Sequence, residues 1–362
     1  MREHCTLELS NGTKIEGLLI GDKIATSGEM VFTTGMVGYS EALTDPSYAG
    51  QILVFTFPLI GNYGIPKLPQ HLEVMTSKGF ESNRVHARGV VCALDSQAAF
   101  HWSSVLTLDA WLKDQKIPGI VGVDVRHLTH IIRDQGPLFG KLIPQGKIPS
   151  ATFFDPSSVD ILSEVSTRKI EHLKSSVSSK NKRTIGLVDC GVKWNILRQI
   201  LATGTDVKLI PWDAPLESIE CDGWLLGNGP GDPKRAEILI ARVRNLMLEN
   251  KPILGICLGH QILALAAGAE TIRMKFGHRS HNQPVYETES RRGAITSQNH
   301  GYVVDETTLP DHFAVWFRNA NDETCEGIKH KTKNIRSVQF HPEAAGGPRE
   351  TGWILEEFLA CL

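Results

Sequence analysis

The chain has 362 residues, 41% hydrophobic and 22% charged, with a formal net charge of −2, the balance of an ordinary soluble globular protein. That near-neutral charge excludes a role driven by bulk attraction to nucleic acid or to a membrane surface. No apolar run approaches the roughly 18 residues of a membrane span, and the N-terminal Met-Arg-Glu-His-Cys-Thr run lacks the apolar core of a signal peptide. Seven cysteines, without pairs at metal-ligand spacing, read as free thiols in a reducing compartment, which predicts a cytoplasmic protein. The length predicts about two domains.

In chain order, residues 1–10 alternate as a strand does, and Ser10-Asn11-Gly12-Thr13 predicts a hairpin turn into a return strand over 14–20. Further strands are expected over 52–57 and 89–94, which are rich in β-branched and aromatic residues. Helical spacing runs over 106–113 and 125–134, the latter stopping near Gly136-Pro137. A β-rich mixed domain is therefore expected over 1–154. Residues 155–183 differ: Asp-Pro-Ser-Ser opens the stretch, and a nearly apolar-free run from Ser175 to Arg183 closes it. They read as an interdomain linker with room for a strand or helical turn inside. The Lys180–Arg183 cluster has no interleaved aromatic residues and reads as a solvated linker end.

From Thr184 to the end, 184–362, strands alternate with helices. Strands are expected over 185–189, 206–211, 223–227 and 252–256, with helices over 195–201, 236–248 and 353–362. That order predicts an α/β fold with a largely parallel, doubly wound sheet, whose ligands bind at the carboxyl ends of the strands. Cys257, Gly227 to Gly231 and the Asp189 to Gly191 turn all fall at such ends.

Cys257 lies in a Gly-x-Cys-x-Gly turn between a short apolar strand and a helical stretch. A sharp strand-to-helix turn lifts its central side chain out of the sheet, as in Gly-x-Ser-x-Gly hydrolases. Here the nucleophile would be sulfur, at a helix N-terminus whose partial positive charge favours a thiolate. Such a thiol needs a base, and the base needs an orienting group. His341-Pro342-Glu343 follows an apolar strand over 335–340, and residues two apart in an extended segment share a side. The expected arrangement is Cys257 Sγ to one imidazole nitrogen of His341, with Glu343 accepting from the other; a surface His-Pro-Glu turn is the alternative. The loop Gly227-Asn-Gly-Pro-Gly-Asp-Pro233 has neither the phosphate-loop nor the dinucleotide spacing. Beside Cys257 it would supply oxyanion donors, each commonly worth ~10²–10³ in rate; otherwise it is an ordinary β–α turn.

Four runs together carry a resemblance: Gly-Ile-Cys-Leu-Gly-His-Gln (255–261), Asn-Gly-Pro-Gly-Asp-Pro (228–233), Ser-Gln-Asn-His-Gly (297–301) and Gln-Phe-His-Pro-Glu (339–343). They resemble the class I, triad-type glutamine amidotransferases. The first region narrows this. Val-Gly-Tyr-Ser-Glu-Ala-Leu-Thr-Asp-Pro-Ser-Tyr-Ala-Gly-Gln (37–51) and Phe-Pro-Leu-Ile-Gly-Asn-Tyr-Gly (57–64) are similar to the small subunit of carbamoyl phosphate synthetase. Val-Asp-Val-Arg-His-Leu-Thr (123–129) matches that family more loosely. His281-Asn-Gln-Pro284 and Ile65-Pro66 look closer to the glutaminase region of eukaryotic fused synthetases than to free-standing bacterial subunits.

The resemblance implies hydrolysis of L-glutamine to glutamate and ammonia, with the ammonia channelled to a synthetase large subunit or fused synthetase domain. It implies Cys257 as the residue that forms a γ-glutamyl thioester, His341 as base and then acid, and Glu343 as its orienter. Backbone amides of Leu258 and Gly229 would form the oxyanion hole. Gln261, Asn299, Gly301, Tyr302, Gly231 and, from the first domain, Ser47 would hold glutamine. Tyr302 stands where phenylalanine is usual, and Trp194 where a basic residue or tyrosine is. No metal or organic cofactor is expected in this chain; ATP, magnesium and bicarbonate would belong to the partner. The alternatives are the glutaminase component of another class I amidotransferase, or a non-catalytic glutamine-binding regulatory module. His278 with His281, and His127 with His130, have spacing a metal could use, but no cysteine or carboxylate completes a set in the sequence, and surface or capping roles are expected. Cys5, Cys92, Cys190, Cys221, Cys325 and Cys361 are expected to be structural thiols.

Overall fold

The computed structural model describes residues 2–67, 78–178 and 182–362. The chain divides into two units, Met1–Ile161 and Leu162–Leu362. The expected linker 155–183 straddles that division, and its residues 179–181, with Lys180 of the basic cluster, lie outside the described residues.

The first unit is built on a closed barrel. Its strands, in spatial order, are His4–Leu9, Lys14–Gly21, Pro118–Val121, Gly89–Cys92, Gln51–Phe55, Thr26–Thr33 and Leu138–Pro144. The first two form the expected hairpin. Its turn is fixed by Asn11 Oδ1 accepting from Thr13 N at 2.9 Å, and Gly12 takes the positive φ of 89° that such a turn requires. Alternation in His4–Leu9 puts Cys5, Leu7 and Leu9 inside. Helix Leu108–Asp114 is capped by Thr107 Oγ1 and helix Val125–Gln135 by Asp124 Oδ1. Two helices and four of the barrel strands were thus expected from the sequence. The other three, Thr26–Thr33, Pro118–Val121 and Leu138–Pro144, contain Gly28, Pro118-Gly119 and Gly140, which read as breakers. At Gly140 a Cβ would lie 2.3 Å from Met30 Sδ, so any larger residue would have to displace the Met30 side chain in the barrel interior.

The second unit carries a ten-stranded sheet. Five strands, Asp206–Pro211, Thr184–Asp189, Gly223–Leu226, Ile253–Ile256 and Ile335–Val338, lie side by side in parallel. Helices Trp194–Ala202 and Glu237–Leu246 connect strands of this set, and Leu258–Ala267 follows Ile253–Ile256, which is the alternation the sequence shows. Beyond Ile335–Val338 the sheet continues antiparallel through Cys325–His330, Gly293–Asp305, Glu270–Glu287 and Phe313–Asn319. This half escapes sequence reading because Glu270–Glu287 is largely polar and its pairing with Gly293–Asp305 shifts register twice, which breaks the period of two. At the other edge, Glu171–Leu173, within the expected linker, pairs antiparallel with Asp206–Pro211. The core between sheet and helices is apolar, with Trp224, Ile253, Ile262, Leu263 and Ile328 fully buried. Among the described residues no helix is long and apolar enough to cross a membrane.

Gly259 sets how closely helix Leu258–Ala267 approaches the sheet: a Cβ there would lie 2.1 Å from the carbonyl oxygen of Leu226. Gly259→Ala must therefore push the helix off the strand. We expect a loss of about 3 kcal/mol or more, read as a lowered urea midpoint; an unchanged midpoint would show that the helix is not held there.

Candidate active site

Parallel pairing brings the two predicted reactive residues together. Ile253–Ile256 pairs with Ile335–Val338 in register, Ile256 opposite Val338, so both strands end at the same level. Cys257 follows the first strand and donates its backbone N–H to the Val338 carbonyl at 2.9 Å. It caps helix Leu258–Ala267 with φ 55° and ψ −104°, a conformation that strains any residue with a Cβ. The predicted strand–turn–helix elbow is therefore present, and its backbone is strained at Cys257. The Cys257 side chain is buried. Its Sγ donates to the Asn299 carbonyl at 3.6 Å and accepts from Gln339 Nε2 at 3.8 Å.

His341 follows the second strand after two residues, and its backbone N–H bonds the Ser297 carbonyl at 2.9 Å. Strand Gly293–Asp305 thus holds His341 at Ser297 and receives the thiol at Asn299. His341 Nδ1 donates to Glu343 Oε1 at 2.7 Å, the contact expected from the His-Pro-Glu spacing. Its Nε2 is buried and makes no well-formed hydrogen bond, while the Cys257 thiol acts on the ring electrostatically.

One participant escaped the sequence reading. Lys193 is buried, and its Nζ lies 2.7 Å from the same Glu343 Oε1 that accepts from His341. The signal was a lone cation in the apolar run Cys190-Gly-Val-Lys-Trp194 directly after a strand end. Burial alone would raise the Glu343 pKa, but the charges of Lys193 and His341 outweigh it and hold the carboxyl at about 2. For His341, burial and Lys193 push the imidazole pKa down. Glu343 and Cys257 act the other way and leave it raised to about 9.

The loop at 227–231 lies against this centre. A Cβ at Gly229 would be 2.0 Å from the Cys190 carbonyl and 2.9 Å from Leu258 Cδ2, so the backbone of Gly229 runs beside the residue that follows Cys257. Asn228 ties this loop to the Lys193 segment: its Oδ1 accepts from Lys193 N at 3.1 Å and its Nδ2 donates to the Gly191 carbonyl at 3.0 Å. Leu258 opens the helix, where backbone N–H groups lack intrahelical acceptors. Gly231 takes a φ of 91°. Gln261 is buried, and its Nε2 donates to the Tyr302 carbonyl at 2.8 Å and to Gln339 Oε1 at 2.9 Å. Asn299, Gly301 and Tyr302 follow one another along strand Gly293–Asp305. Ser47 belongs to the first unit, buried in the short turn Pro46–Tyr48, with its backbone N–H on Asp45 Oδ1 at 2.9 Å.

The histidines outside the motif fall in different places. His127 and His130 are exposed on helix Val125–Gln135. His278 is buried instead of lying on the surface, because the strand pairing that carries it was not legible. With His300 and Glu326 it forms, among the described residues, one group whose possible metal-ligand atoms all lie within 4.8 Å of one another. His278 Nε2 reaches Asp322 Oδ2 at 2.9 Å and its Nδ1 reaches Glu326 Oε1 at 3.3 Å. Burial would lower its pKa, but these two carboxylates raise it, while burial also raises that of Glu326. His281 is half-buried, and its pKa is pushed down to about 4 by burial and by the nearby charges of Lys193 and His341. It is a neutral imidazole near the Cys-His-Glu group, a placement that the expected surface role did not anticipate.

Two family models match the chain: carbamoyl-phosphate synthase small chain, CPSase domain, over residues 7–142, and glutamine amidotransferase class-I over residues 186–361. The chain is 46% identical over 98% of its length to the multifunctional protein CAD of Squalus acanthias, and spans 16% of that protein. It is 42% identical over 98% of its length to the carbamoyl phosphate synthase arginine-specific small chain of Yarrowia lipolytica, of which it covers 81%. Against the chain of the same name from Saccharomyces cerevisiae it is 42% identical over 98% of its length, covering 87% of that chain.

The opposed influences on His341 give a prediction of two signs. Glu343→Gln removes the charge that holds the imidazole pKa up, so it should fall below the ordinary 6.5. Lys193→Met removes a charge that pushes it down, so it should rise above about 9. Imidazole NMR titration reads both; shifts of the same sign would refute the charge balance described.

Proposed function

Because the chain belongs to the carbamoyl-phosphate synthase small-chain family, we propose that it is the glutamine-hydrolysing component of a carbamoyl phosphate synthase. The product would be ammonia, handed to a synthetase large subunit or fused synthetase domain that holds ATP, magnesium and bicarbonate. The observation that supports this most is the meeting of Cys257 and His341 at the ends of adjacent parallel strands, with Glu343 on the far imidazole nitrogen.

In this reading His341 Nε2 takes the thiol proton as Cys257 Sγ attacks the γ-carboxamide carbon of glutamine. The oxyanion is met by the backbone N–H groups of Leu258 and Gly229. His341 then gives the proton to the leaving nitrogen, ammonia departs, and a γ-glutamyl thioester remains. A water molecule attacks that thioester with His341 again as base, and glutamate and the thiol are released. Glu343 holds the imidazole with Nδ1–H outward and stabilises the imidazolium in each half-reaction. Lys193 keeps Glu343 ionised, so that it accepts from His341 and does not compete for the proton. Gln261, Asn299, Gly301, Tyr302 and Gly231 would hold the glutamine.

Ammonia released into water is protonated and lost as a nucleophile, so hydrolysis without the partner is wasteful. The isolated chain should therefore turn over slowly and the synthetase should accelerate it. Glutamate release is the test of the thiol mechanism. Cys257→Ser should lose about a thousandfold or more in kcat, with circular dichroism unchanged; equal rates in the two proteins would end it.

A further inference from the structure

Helix Trp194–Ala202 begins directly after Lys193. Its apolar face, Ile196, Leu197, Ile200 and Leu201, is buried. Asn195 and Gln199, one turn apart, are only partly buried and contribute little to that packing. Both amides instead converge on one carbonyl. Asn195 Nδ2 donates to the Glu343 carbonyl at 2.5 Å and to the Ala344 carbonyl at 3.2 Å. Gln199 Nε2 donates to the same Glu343 carbonyl at 2.7 Å. Arg198 Nε donates to Asn195 Oδ1 at 3.1 Å, which fixes the end of the Asn195 amide that faces the carbonyls.

Those carbonyls lie where the chain turns away from the Cys-His-Glu group. Ala344 is buried, has a φ of 21°, and donates its N–H to the His341 carbonyl at 3.3 Å. A residue with a Cβ in this region persists only where its surroundings hold it. Three N–H···O bonds from one helix face supply that hold. Lys193 grips the Glu343 carboxylate while Asn195 and Gln199 grip its backbone, so one short stretch fixes both ends of the residue.

We propose that Asn195 and Gln199 are positioning residues that lock the Glu343–Ala344 backbone and so keep the Glu343 carboxylate on His341 Nδ1 during turnover. This rests on the glutaminase reading above. The two amides act through Glu343 and do not touch the reacting atoms. Loosening the turn lets the carboxylate drift, which weakens both the orientation of the imidazole and the charge that favours its protonated form.

The test uses the full chain with Gln199→Met and Asn195→Leu, which keep size and remove the donors, singly and together. Steady-state glutaminase kinetics and NMR titration of ¹³C-labelled histidine are read in parallel. Each donor-free variant should lower kcat about tenfold with the KM for glutamine within about twofold of wild type. The His341 imidazole pKa should fall in the same variants. A lowered melting temperature with kcat and the His341 titration unchanged would overturn the proposal, as would a rise in KM alone. Wild-type protein that releases no glutamate, while the variants still shift His341, would sink the glutaminase reading and leave the clamp standing.

Discussion

Two parallel strands that end at the same level are the constraint on which the candidate site depends. Ile253–Ile256 and Ile335–Val338 are far apart in sequence, yet their register fixes the separation of the residues just beyond their ends. The Cys257 backbone N–H closes on Val338, and the neighbouring antiparallel strand Gly293–Asp305 then pins His341 through Ser297. Thiol and imidazole thus meet because of backbone hydrogen bonds, not because either side chain seeks the other. The glycine at 259 and the glycine at 229 allow main chain to approach main chain where a Cβ would collide. Strain at Cys257 is tolerated because the ladder on both sides over-determines that turn.

The second organising element is electrostatic. Lys193, Glu343 and His341 are all buried, and a single carboxylate oxygen accepts from both the lysine ammonium and the imidazole. Taking one charge out of water is costly, and the cost is offset only when the partners are close and hydrogen-bonded. Here the carboxylate is central, with the lysine cation on one side and the imidazole N–H on the other, so its burial is matched by two close donors. The arrangement also explains why the acid of the group is not free to exchange protons: its carboxyl stays ionised across any physiological pH.

Much of this was legible where the cause is local. Asn11-Gly12 gives a turn because its backbone needs a positive φ, and Gly255-Ile-Cys-Leu-Gly259 gives an elbow because a strand runs straight into a helix. His341 and Glu343 were readable because extended backbone puts alternate residues on one side. Lys193, Asn195 and Gln199 were not, since each takes its meaning from residue 343, which no periodicity connects to them. The barrel strands containing Gly28, Gly119 and Gly140 were hidden because residues chosen for close approach look like breakers. His278 was misplaced for the same kind of reason: its carboxylate partners, Asp322 and Glu326, come from another strand and its preceding turn.

The three-residue strand Glu171–Leu173 has a consequence for how the chain is handled. It covers the outer edge of the parallel sheet at Asp206–Pro211, leaving that row of amides and carbonyls already paired. A segment that reads by composition as a spacer is therefore also a shield. Replacing it with a Gly-Ser tether would preserve reach but bare a hydrogen-bonding edge whose next neighbour could be another molecule. Insolubility after such an exchange would be a failure of edge protection, with the candidate site itself untouched.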